Sequence, residues 1–146
     1  VTLKKGIAGG GMFMYFYDPK WKDKLPYYDR FPLTIIVENA PGGFYGLNLH
    51  YLNPLLRAKL LDGLLETINN KRYDDSTKFQ LNYKMLKNAS KLKAFKPCFK
   101  HYLLDHVKSR FAHVPAPEWE IATFLPMADW KKTSPGSVYR DSKRMI

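Results

Sequence analysis

Residues 33–52 read LTIIVENAPGGFYGLNLHYL, and no other stretch of the 146-residue chain narrows its fold as much. LTIIVE is β-branched and places Leu33, Ile35 and Val37 on one face of a strand. NAPGG has turn chemistry, and FYGLNLHYL alternates again, with Leu47, Leu49 and Tyr51 facing one way and Asn48 and His50 the other. Two alternating runs around a loop of about five residues predict an antiparallel hairpin.

The flanking segments supply its cover. Downstream, Asn53 fits an N-cap and Pro54 the first helical position. Leu56, Leu60, Leu64 and Ile68 then recur every fourth residue, with Leu61 and Leu65 widening the apolar stripe until Asn69-Asn70 ends it. Upstream, MFMYFYD is short, aromatic and bounded by glycines and Asp18-Pro19, the pattern of a buried strand. Between them, DPKWKDKLPYYDRFP carries three prolines and reads as an ordered loop. Within it, Tyr27-Tyr28-Asp29-Arg30 reads as a structural clasp rather than a working site, with Tyr27 or Tyr28 burying its ring and Asp29 and Arg30 tying loop backbone or pairing with charges elsewhere. On that reading Asp29→Ala costs about 1–3 kcal/mol.

The second half is less uniform. KRYDDSTK is a polar loop, and residues 79–92 are ambiguous: FQLNY alternates like a strand, YKMLKNASKL suits a helix. FKPCFKHYLLDHVKSRFAHV predicts a helix from about 98 to 113, with Phe99, Tyr102, Leu103, Val107 and Phe111 as its apolar face and Pro115 and Pro117 ending it. EWEIATFLP is a further strand candidate. The fold class is α+β: a small antiparallel sheet with a hairpin, covered by two or three helices. Residues 1–11, with GIAGGG, form a flexible N-terminal segment, residues 12–130 a single α+β domain, and residues 131–146 a basic C-terminal tail.

Hydrophobic residues make up 45% of the chain and aromatic ones 15%, enough for a real core. Cys98 is the only cysteine, so no intramolecular disulfide forms. No apolar run approaches the roughly 18 residues of a membrane span. VTLKKGIAGGGMFMYFY has too short an apolar stretch and no cleavage-type ending for a secretion signal; the chain begins with Val, as a fragment or a truncated or misassigned start would.

The net charge of +11 is unevenly placed. Residues 78–110 hold 9 basic side chains against 1 acidic, whereas residues 1–77 hold 10 against 8. Such a block suits phosphates or another anionic partner, with a solubilising surface as the alternative. Lys84, Lys87 and Lys91 share one face if their segment is helical; Lys93, Lys96 and Lys100 lead into the next predicted helix, where Lys108 lies near Lys100. Arg110 falls with His106 among the apolar positions there, either snorkelling at a helix end or lining a pocket for phosphate or carboxylate. The candidate set for contacts to nucleic acid or another anionic partner is Lys84, Lys87, Lys91, Lys93, Lys96, Lys100, Lys108 and Arg110. Lysines neutralise phosphates without reading bases. The interleaved Phe79, Tyr83, Phe95 and Phe99 sit at core spacing, with base stacking as the alternative use.

Catalytic patterns are missing. His101 and His106, five apart, fall on different helix faces; one cysteine excludes zinc-ribbon spacing; His50 reads as hydrogen-bonded rather than ligating. Glu118 and Glu120 would share a strand face, but no Glu-x-Lys follows, and the Asp-x-Lys matches at Asp18 and Asp141 are at chance level. No serine stands in a nucleophile elbow, and GIAGGG lacks the ending of a phosphate-binding loop. The expectation is a non-enzymatic protein with no catalytic residue, metal or cofactor.

YDPK at 17–20, LPYYDRFP at 25–32 and GLNLHYL at 46–52, with FKPCFKHYLLDHVKSRF and EWEIATFLP, resemble the DNA-end protector family of large contractile-tailed phages, especially those of cyanobacteria. The resemblance runs from about residue 12 to 146. It implies a virion protein, made in the host cytoplasm during assembly, that binds the end of packaged double-stranded DNA and shields it from exonuclease. It further implies a part in head completion, with virion proteins of head, neck or tail as other partners and no membrane. The alternative is a head-tail connector, neck, tail or baseplate assembly protein with no direct DNA role, its basic block meeting acidic protein surfaces.

Overall fold

In chain order the computed structural model runs β1 (Met12–Met14), β2 (Tyr28–Asp29), β3 (Leu33–Ala40), β4 (Gly43–Asn48), α1 (Pro54–Ile68), α2 (Asp75–Ala89), β5 (Phe99–Leu103), β6 (Ala112–Val114), α3 (Trp119–Phe124) and β7 (Trp130–Lys131). The residues described are 10–20, 22–25, 28–89, 91–92, 95–124, 128, 130–131 and 138. Five strands form one antiparallel sheet in the order β5-β4-β3-β1-β6, and β2 pairs with β7 in a second, two-stranded one.

The hairpin is the centre of the larger sheet. Ala40 pairs with Gly43, so its turn is only Pro41-Gly42, tighter than the five-residue loop expected from sequence. Proline followed by glycine at φ +72° has the residue order of a type II turn. The register slips at Val37, a β-bulge between the pairs Ile36–Gly46 and Glu38–Tyr45. At Gly43 the next strand comes close: a Cβ there would lie 1.8 Å from the Tyr102 carbonyl oxygen. Backbone cannot yield as a flexible side chain can, so Gly43→Ala should push β5 off β4 and cost about 1–3 kcal/mol in a denaturant titration. An unchanged midpoint would show that the two strands part freely.

Period-two alternation gives the sheet two apolar faces. Met12, Leu33, Ile35, Val37 and Leu47 face α1 and α2, meeting Leu60, Leu61, Leu64 and Leu86. Asn53 caps α1 as expected, its Oδ1 accepting the Leu56 N–H at 3.0 Å, with Pro54 in the first turn. The opposite face is aromatic: Phe13, Tyr15, Tyr17, Phe44 and Tyr102, with Ile36 and Val107. Tyr15, fully buried, meets Phe44, Tyr102 and Tyr17 edge-on at 5.9, 5.6 and 6.3 Å, and its hydroxyl donates to Thr34 Oγ1 at 3.0 Å. Burial pushes the Tyr15 and Tyr102 hydroxyl pKa values well up.

Three further sequence expectations change. The helix expected over 98–113 is instead β5, a 3₁₀ turn (Leu104–His106) and β6. The open edges of β4 and β1 take these segments as ladder partners, and Tyr102 from β5 completes the aromatic face. The strand expected at 118–126 is helical, a 3₁₀ turn at Ala116–Glu118 running into α3. There the Trp119 indole donates to the Val114 carbonyl at 2.8 Å, and the Thr123 hydroxyl to the Trp119 carbonyl at 2.6 Å. The alternation expected through Tyr51 stops at Asn48, where Leu49–Tyr51 form a 3₁₀ turn that buries Leu49, His50 and Tyr51 together. The ambiguous segment from 79 is helical to Ala89.

Candidate nucleic-acid interface

The basic residues singled out from the sequence lie in different settings. Lys84 is exposed on α2, and Lys91 and Lys96 are exposed beyond its end. Lys87 turns back to the sheet: its Nζ lies 2.7 Å from Glu38 Oε1, while the Tyr83 hydroxyl donates to Glu38 Oε2 at 2.7 Å. The Lys87 hydrogen bond, then that from Tyr83, holds the Glu38 carboxyl below its ordinary range; the same Lys87 bond raises the lysine. Lys93 lies outside the described residues. Lys100 belongs to β5, its ammonium 4.2 Å from the Tyr51 ring centre, and desolvation lowers its pKa. Lys108 and Arg110 are exposed between the Leu104–His106 turn and β6, so the helix-end reading of Arg110 has no helix behind it. Tyr83, Phe95 and Phe99 pack against the core as expected; the Phe79 side chain lies outside what is described.

Clefts among the described residues bring cations together. One of about 340 Å³ joins Lys87 and Lys100 beside Glu38 and Tyr45. One of about 460 Å³ is lined by Lys20, Lys100 and His101 with Tyr28, Asp29 and Tyr51. The third, about 390 Å³, takes Lys22, Arg30, Lys108 and Lys131 from four separate stretches, with Asp18 and Phe16. Of its cations only Lys108 belonged to the candidate binding set; Arg30 was read as part of the clasp and Lys131 as the start of the basic tail. Residues 22, 30, 108 and 131 have no shared spacing, so no linear pattern points to them.

The clasp is built at Asp29. Its Oδ1 accepts the Phe31 N–H at 3.0 Å, and Oδ2 accepts from Asn48 Nδ2 at 3.3 Å and from His50 Nδ1 at 2.6 Å. Asp29 and His50 side chains are both 1% exposed. His50 is thus hydrogen-bonded in the interior, as its place among leucines suggested. Beneath it, Arg57 on α1 donates to the carbonyls of Leu52, His50 and Thr123, at 2.7, 3.3 and 2.9 Å. This buried arginine joins the hairpin end to α3 and carries no sequence signal beyond an interrupted leucine stripe.

Two further histidines hold backbone: His101 Nε2 donates to the Pro41 carbonyl at 2.7 Å and His106 Nδ1 to the Asp18 carbonyl at 2.9 Å. Among the described residues no three His, Cys, Asp or Glu side chains converge as metal ligands, and no helix is long and apolar enough to cross a membrane. The Cys98 thiol is buried and its pKa pushed up to about 12 by desolvation, which keeps it protonated and unreactive at neutral pH.

A family model described as phage T4 terminal DNA protecting protein matches residues 3–144. Neither the curated proteins nor the solved structures give a match.

Proposed function

Because the chain belongs to the phage T4 terminal DNA protecting protein family, we propose that it binds the end of packaged double-stranded DNA in the virion and occludes it from exonuclease without reading sequence. One observation carries the reading beyond the family: residues 78–110 hold nine basic side chains against one acidic, and eight of the nine are lysines. Lysine is a point charge that neutralises phosphate without needing a particular base beside it, so a lysine-dominated set favours backbone contact. The exposed Lys84, Lys91, Lys96, Lys108 and Arg110 carry the contact in this proposal. Lys87 and Lys100 serve it less, one held by Glu38 and the other against Tyr51; Lys93 stays in the set on charge alone. No catalytic residue, metal or cofactor is needed for steric protection.

Titrating affinity for duplex DNA against salt tests this. The log–log slope should be about −0.9 per phosphate contact, and Lys84→Gln with Lys91→Gln should make it shallower by about 2. Bound chain should also slow digestion of a linear duplex by an exonuclease. A flat salt response, or digestion at the uncovered rate under saturating protein, would remove the DNA role.

A second surface favours a protein partner in the head, neck or tail. Leu55 on α1 and Ile121 and Phe124 on α3 are 65%, 67% and 45% exposed, on helices that pack against each other. Exposed apolar side chains on adjoining elements suit a protein contact. We propose that assembly in the host cytoplasm uses this apolar surface while the exposed cations meet DNA. Imaging the particle separates the roles: density on the DNA axis supports end binding, and a symmetric ring of copies supports a purely assembling protein.

A further inference from the structure

We propose that the cleft holding Lys22, Arg30, Lys108 and Lys131 receives the terminal phosphate of the DNA end, with Phe16 against the last base pair. This rests on the end-binding reading above and adds the site that tells an end from the middle of a duplex.

The cleft is built rather than incidental. Its four stretches are tied by backbone: the Tyr17 N–H donates to the Arg30 carbonyl at 2.9 Å, the Lys108 N–H to the Phe16 carbonyl at 2.8 Å and the Asp18 N–H to the His106 carbonyl at 3.0 Å. The Phe16 N–H donates to Ser109 Oγ at 2.9 Å, and Tyr28 pairs with Lys131 across β2 and β7. Backbone so tied fixes where the four side chains start, which lowers the cost of bringing them onto one anion.

The charge fits a terminal monoester. Asp18 is engaged by Lys22 at 3.1 Å, and that hydrogen bond lowers the Asp18 pKa. The lining as a whole then has four cations against one carboxylate, within about 390 Å³. An internal phosphodiester carries a single negative charge. A terminal phosphomonoester carries about −1.5 to −2 at neutral pH and has three oxygens to accept charge-assisted hydrogen bonds. Arginine and lysine gathered in a concavity suit the second group better than the first.

Phe16 supplies the other mark of an end. It is 45% exposed and backed by Phe31, ring centres 4.6 Å apart and planes 33° from parallel. Only a duplex end offers an unstacked base-pair face, and base–aromatic stacking is indifferent to sequence. A phosphate site beside a supported, exposed ring therefore matches two features that coincide only at a terminus.

Fluorescence anisotropy on one short duplex, with its ends phosphorylated on one strand terminus or the other, left as hydroxyls, or closed by hairpin loops, tests the site. A phosphorylated end should bind about tenfold more tightly than a hydroxyl end. Arg30→Gln should bring that ratio close to one. Arg30 is exposed and holds Tyr17 through its backbone, so the substituted chain keeps its fold. Lys84→Gln, on α2, should weaken all duplexes and leave the ratio as it was. Phe16→Ala should narrow the gap between open and closed duplexes. Equal affinity for phosphorylated and hydroxyl ends, with open duplex still preferred over closed, would overturn this site and leave end binding standing; so would a phosphate preference that survives Arg30→Gln. Equal affinity for open and closed duplexes would overturn both.

Discussion

Asp29→Ala should lower the unfolding free energy by about 3–5 kcal/mol, read as an earlier denaturant midpoint, while the molecules that remain folded keep their duplex affinity. The size exceeds what a single buried hydrogen bond predicts, because this carboxylate serves the Phe31 N–H, Asn48 and His50 at once. Its loss would strand all three donors where Asp29 is only 4% exposed. Asp29→Asn keeps the shape and one carbonyl acceptor but turns an NH₂ toward a donor, so it should fall between wild type and alanine. A stable Asp29→Ala chain that no longer bound DNA would make the YYDR stretch a working site instead of a clasp.

Tyr15→Ala should cost a similar amount, about 3–5 kcal/mol, with loss of the near-ultraviolet dichroism of the aromatic face. Tyr15 is fully buried, and three neighbouring rings present themselves edge-on to it or it to them. Nothing nearby can collapse into so large a space without breaking those contacts. Tyr15→Phe keeps the ring and loses only the hydroxyl bonded to Thr34, so about 1 kcal/mol is expected. A mild effect from alanine would mean that this face is a loose cover and the helix side alone holds the sheet.

The elements that depend on neighbours in sequence were legible. Leu33, Ile35 and Val37 make a strand face by alternation, and Asn53-Pro54 followed by leucines four apart makes a capped helix, because pleat and helical period are local properties. The family resemblance, the excess of lysine between 78 and 110 and the placing of His50 as a hydrogen-bonded interior residue were legible too. Residues 98–113 were not. Phe99, Tyr102, Leu103, Val107 and Phe111 fit a helical stripe, yet the free hydrogen-bonding edges of β4 and β1, distant in sequence, draw them into strands. Residues 119–124 went the other way, toward helix, where Trp119 and Thr123 found local carbonyls and Arg57 reached across to the Thr123 carbonyl. Charge followed the same division. Composition determined how many lysines the chain carries, but tertiary pairing decided that Lys87 faces Glu38, that Lys100 lies over Tyr51, and that Lys22, Arg30, Lys108 and Lys131 meet in one cleft. Periodicity is written residue by residue, whereas convergence of four separate stretches is settled only when backbone hydrogen bonds between them close the sheet and its loops.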